Sequence, residues 1–111
     1  MQQLKDTFKK EIVQHITRNL LDIQILRLIQ RQPMWGYMVK KEVDTKFDVR
    51  LGHGALYPLL NKMEKESFVT SQKQMQGGRA RKVYVLTRKG EEYLNMYKDI
   101  LKAQIEGLDI R

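Results

Sequence analysis

The sequence predicts a mainly α fold with one small β-hairpin, and three observations carry that prediction. Apolar residues recur at three- and four-residue spacing over most of the chain. The exception lies between Phe68 and Leu86, where β-rich runs flank the turn signal 76-QGGR-79. At 111 residues, 41% of them hydrophobic, the chain has material for one modest core.

Leu4, Phe8, Ile12 and Ile16 form a narrow stripe of period four, so the first element is an amphipathic helix reaching about Thr17. A stripe that narrow suits packing against one partner helix. Asn19 is placed to cap the next helix, with Asp22 three residues on. Leu20, Ile23, Leu26, Leu28 and Ile29 give that helix a broad apolar face, and Pro33 ends it. After 33-PMWGY-37 a short third helix is expected, with Met38 and Val43 inward, then a connector from Asp44 to Leu51. In 52-GHGALYPLLNKMEKE-66, Leu56, Leu59, Leu60 and Met63 make one stripe, so a fourth helix begins near Gly54 with Pro58 fixing its start. Phe68 to Gln76 and Val83 to Leu86 are the hairpin strands. Thr87 caps a last helix carrying Leu94, Tyr97, Leu101, Ile105 and Leu108, of which Leu94, Leu101 and Leu108 are a heptad apart.

Helices two to four with the hairpin compose a winged helix-turn-helix over residues 20–88. An N-terminal helix (1–19) and a C-terminal helix (89–111) flank it within a single domain. Both flanking stripes lie outside that core and need something to bury against, so a homodimer is expected through Leu4, Phe8, Ile12, Ile16, Leu94, Tyr97, Leu101, Ile105 and Leu108.

The net charge of +8 is unevenly spread. Residues 67–90 hold six basic side chains and no acid, whereas residues 91–111 hold three basic and five acidic ones. An acid-free basic block on a glycine turn points to a polyanion partner. In a helix-turn-helix the second helix enters the major groove by its N-terminal end. Here that end carries Gly52 and Gly54 with Ala55 beside them, small enough for close approach, and its free N–H groups suit a phosphate; His53 is a further candidate DNA contact there. Tyr57, Pro58, Asn61 and Lys62 continue the exposed stripe. Lys73, Arg79, Arg81 and Lys82 arm the hairpin, where arginines can enter a minor groove or clamp phosphates. Tyr37 and Lys40 are candidates from the preceding helix. Trp35, the only tryptophan, reads as a packing residue beside the core.

Two stretches, 56-LYPLLNKME-64 and 78-GRARKVYVLTRKGEEYL-94, together resemble the PadR family of winged-helix transcriptional regulators; 35-WGYMVKKEV-43 resembles the glycine–tyrosine start of that family's second element. The resemblance spans roughly residues 18–95 and departs from the family at Ser67, usually glycine, and at 52-GHG-54. It implies a DNA contact for Tyr57, a homodimer joined through the helix after the wing, and a small-molecule effector whose cavity the sequence does not locate. A cytoplasmic, nucleoid-associated repressor on double-stranded DNA is the expectation. Two other readings share the fold: a non-specific architectural DNA binder, and a protein-interaction module.

Enzyme signals are poor. Paired carboxylates, a GxxxxGK loop and cysteines are absent, His15 has no second histidine in register, and no catalytic, metal or cofactor role is expected. The most apolar run, Leu20 to Ile29, is broken by Asp22, Gln24 and Arg27, so no membrane span is expected.

Overall fold

The structure, a computed structural model, describes residues 2–107, the side chains of His53 and Gln76 apart. Leu108 therefore lies outside the described residues. Five helices and three strands follow in the order α1 (Gln2–Asn19), α2 (Leu21–Arg31), β1 (Met34–Trp35), α3 (Gly36–Phe47), α4 (His53–Lys65), β2 (Val69–Gln76), β3 (Arg79–Leu86) and α5 (Arg88–Ile105).

The core is the apolar face of α2, with Ile25 and Leu26 fully buried, closed by Val39 and Val43 of α3, Leu56 and Leu60 of α4, Val69 and Tyr84 of the sheet and Leu94 of α5. Val49 and Leu51, from the loop between α3 and α4, complete it. The hairpin follows from its turn. Gly77 and Gly78 both have positive φ, 56° and 80°, as a two-residue connection between right-twisting strands requires. Eight residues of β2 then pair in register with eight of β3.

Several expectations need correction. The wing is part of a three-stranded sheet, ordered β1-β3-β2, because Met34 and Trp35 pair with Tyr84 and Val83. The third helix runs on to Phe47, and its buried positions are Gly36, Val39 and Val43, with Met38 half-buried. Asn19 does not cap α2: its amide donates to the His15 carbonyl at 2.8 Å, while Leu20 holds the cap position without a side-chain bond. Asp22 accepts from the Ile23 N–H, at 2.8 Å, and serves the first turn alone. Pro58 is the sixth residue of α4, past the first turn, so the Gly54 carbonyl has no helical N–H four residues on. Leu94 is fully buried in the chain's own core and is closed to a partner. Tyr97 packs half-buried against the same core, Leu101 is half-buried, and Ile105 is 84% exposed.

Two junctions hold the flanking helices. At the first, Asp48 adopts φ 51° to end α3, and its carbonyl accepts from Gln14 Nε2 at 2.8 Å while its carboxylate meets Lys10 at 2.9 Å. Hydrogen bonding from Lys10 lowers the Asp48 pKa. At the second, Thr87 caps α5 by accepting from the Gly90 N–H, and its hydroxyl donates to the Ser67 and Phe68 carbonyls. A Cβ on Gly90 would stand 2.0 Å from the Phe68 carbonyl oxygen, so only glycine fits there. Lys89 donates to the Glu66 carbonyl, and Phe68 stacks on Tyr93 with centroids 4.2 Å apart.

Candidate nucleic-acid interface

The N-terminal half of α4 presents exposed Gly54, Ala55, Tyr57, Pro58 and Asn61 opposite its buried Leu56 and Leu60. His53 opens the helix, but its side chain lies outside the described residues. The helix needs no side-chain cap; the Gly52 carbonyl accepts from the N–H groups of Ala55 and Leu56. At its other end Phe68 N–H returns to the Met63 carbonyl and Ser67 N–H to the Glu64 carbonyl, a Schellman closure that sets Ser67 at φ 64° and turns the chain into the wing.

Between α4 and the wing lies a cleft of about 310 Å³, lined by Trp35, Gly36, Tyr37, Tyr57, Asn61, Ala80, Arg81, Lys82 and Tyr84. Gly36 makes room for Tyr57: a Cβ there would stand 2.7 Å from Tyr57 Cε1. The Tyr37 ring lies exposed, 5.8 Å from that of Trp35. The structure thus gathers Tyr37, Tyr57, Asn61, Arg81 and Lys82 around one opening. Gly54, Ala55 and Pro58 stand on the same helix as Tyr57, and Lys73 and Arg79 on the hairpin.

The cations are not alike. Arg79 is exposed at the tip, opposite Gln76. Lys73 is exposed and directly opposite Lys82, a pairing that repels. Glu64 relieves it, accepting from Lys82 Nζ at 2.9 Å and, on its other oxygen, from the Ser71 hydroxyl. Those hydrogen bonds, Ser71 first and Lys82 second, lower the Glu64 pKa, and the bond to Glu64 raises that of Lys82. The acid-free wing is therefore compensated from α4. Lys62 lies 3.9 Å from Glu66, and Lys40 is engaged with Asp44 at 3.1 Å, whose other oxygen accepts from Leu51 N–H. Arg81 is held differently, its guanidinium stacked 4.3 Å from the Trp35 ring centre. Burial raises the Tyr84 pKa.

Sequence reasoning missed two members of this surface. Trp35 was expected to pack beside the core, and Glu64 received no role. The signal for Glu64 was its spacing, three residues beyond Asn61 on the exposed stripe; for Trp35 it was the tripeptide 35-WGY-37, which a β-bridge to the wing makes part of the cleft. Among the described residues, no three His, Asp or Glu side chains gather where a metal could be held, and no helix is long and apolar enough to cross a membrane.

Among known proteins, a Lysinibacillus sphaericus protein of uncharacterised role is 29% identical over 104 residues, covering 85% of this chain and 95% of its own. A solved PadR family transcriptional regulator from Eggerthella lenta shares the fold with a TM-score of 0.75 at 23% identity, over 95% of this chain and 92% of that one. A PadR family transcription regulator from Clostridium difficile superposes with a TM-score of 0.70 at 26% identity, over 77% and 90% of the two chains. The Transcriptional regulator PadR-like family matches residues 25–96, from mid-α2 into α5 and so the whole of the cleft and wing. With its α4, wing and α5 cap all inside that match, the chain belongs to the PadR-like family of transcriptional regulators.

Proposed function

We propose that this regulator is a homodimer that binds double-stranded DNA sequence-specifically and represses by occluding a promoter. One observation carries the reading: Tyr57 and Asn61 of α4 and Arg81 and Lys82 of the wing line a single cleft, so groove and backbone contacts are available from one face. Asn61 and Tyr57 are positioned to read base edges. Arg79 and Lys73 supply the electrostatic grip.

The second copy is supported by apolar surface that the chain leaves uncovered. Leu4, Phe8, Ile12 and Ile16 are 43% to 57% exposed along α1. On α5 an apolar groove of about 410 Å³ is lined by Leu20, Tyr93, Met96, Tyr97, Ile100, Leu101 and Gln104. The partner's α1 laid along α5 would cover both. A small apolar effector would seat in whatever part of that groove the partner's α1 leaves open, and the protein acts in the cytoplasm, where the nucleoid is. A two-fold dimer of this kind meets half-sites about 34 Å apart.

Selection from a random duplex pool at near-physiological salt, followed by sequencing, tests the reading. A two-fold symmetric motif with that spacing is the expected result. Binding without enrichment would instead favour an architectural role on the same face, and absence of binding would favour an acidic protein partner.

A further inference from the structure

Of the cations around the cleft, Arg81 differs in what holds it. Lys82 has a carboxylate; Arg81 has an aromatic face, 4.3 Å from its guanidinium carbon, and no ion pair among the described residues. Its Nε is shut away from solvent without a hydrogen-bond partner, which costs free energy and leaves the far end of the guanidinium as the part that meets an anion. A guanidinium stacked on indole loses little conformational freedom on binding, because the stack has already fixed its plane, and it keeps the fork geometry that matches two oxygens of an anion. Trp35 is itself fixed, since it is paired with Val83 in the sheet.

We infer that Arg81 on Trp35 forms a preset oxyanion position in the cleft, which takes a phosphodiester group of the DNA backbone between the groove entered by α4 and the wing tip. It is separate from Arg79, whose exposed side chain at the turn has no such support. The inference rests on reading this face as the duplex-binding surface. It adds Trp35 to the binding residues as the group that positions Arg81.

The 111-residue chain and a random-sequence duplex of about 30 base pairs suffice to test it, with affinity measured as a function of salt. Arg81→Ala is expected to lower the magnitude of the salt slope by about one. Trp35→Leu keeps every charge, yet is expected to weaken binding several-fold, and Trp35→Phe, which restores a ring, to bind more tightly than Trp35→Leu. The double variant Arg81→Ala/Trp35→Leu should bind no worse than Arg81→Ala alone, because the two residues act as one unit. Additive losses, or an unchanged slope in Arg81→Ala, would overturn the inference; circular dichroism verifies that each variant is folded. As Trp35 is the only tryptophan, its emission reports this position alone. A saturable change on titration with inorganic pyrophosphate, absent in Arg81→Ala, is expected even if the wild type binds no duplex, and in that case the DNA reading fails while the oxyanion position stands. No emission change with either pyrophosphate or duplex would refute the position itself.

Discussion

Two residues carry more constraint than their size suggests. Ser67 occupies a left-handed conformation, φ 64°, at the end of α4, with an exposed side chain. An L-residue is strained there and glycine is not. Ser67→Gly is expected to stabilise the protein by about 0.5–1 kcal/mol, since the Schellman bonds and the carbonyl accepting from Thr87 are main-chain and survive; a urea midpoint that rises with unchanged slope would confirm this. Gly90 is the opposite case. Its missing Cβ is what allows α5 to start against the Phe68 carbonyl, so Gly90→Ala must shift backbone. A loss of about 3 kcal/mol in the same urea measurement is expected, at the upper end for overpacking.

Among the elements, α4 and the hairpin are coupled by Glu64, which bonds Ser71 of β2 and Lys82 of β3. Its pKa is lowered in the folded state, so its contribution to stability is present above the unfolded glutamate value and lost as pH falls through the folded one. Glu64→Gln lacks that contribution at any pH. The stability gap between wild type and Glu64→Gln should therefore be widest near neutrality and close as pH falls below the ordinary glutamate value, about 4.3; a pH-independent gap in thermal unfolding would show that the clamp is not electrostatic. Gly36→Ala probes α3 against α4. The fold should survive, because the obstructing atom is the end of the Tyr57 side chain, but displacing that ring should weaken duplex binding several-fold in an anisotropy titration. Most of this level was legible in the sequence. The stripe of α4, the two-glycine turn and the Thr87 cap each follow from local chemistry within a few residues. The strand β1 was not legible, because two residues show no alternation and their partners Tyr84 and Val83 lie some fifty positions on. Nor could spacing assign Leu94: a heptad position looks the same whether it packs on its own core or on another chain. For Glu64 the helix period gives its face but not its partners, Ser71 and Lys82, which hairpin register fixes.

At the scale of the whole molecule, α1 is held between Lys10 and Thr17, by Lys10, Gln14 and the buried Thr17, while Leu4, Phe8 and Ile12 stay 53% to 57% exposed. If the second copy covers them, Phe8→Glu combined with Ile12→Glu should give a folded monomer in sedimentation equilibrium, and its duplex affinity should fall at least tenfold because each half-site is then bound alone. A double variant that remains dimeric would place the interface elsewhere.

The junction of α5 with the base of the wing has a thermodynamic consequence. Thr87, Gly90, Lys89 and the Phe68–Tyr93 stack bind the start of α5 to the end of α4 and the beginning of β2, with backbone in close contact at Gly90. Tyr93 also lines the apolar groove of α5. A molecule whose seat in that groove depends on the tilt of α5 must then change the free energy of the duplex-bound form. By reciprocity the duplex must change that molecule's affinity by the same factor, so either titration alone measures the coupling.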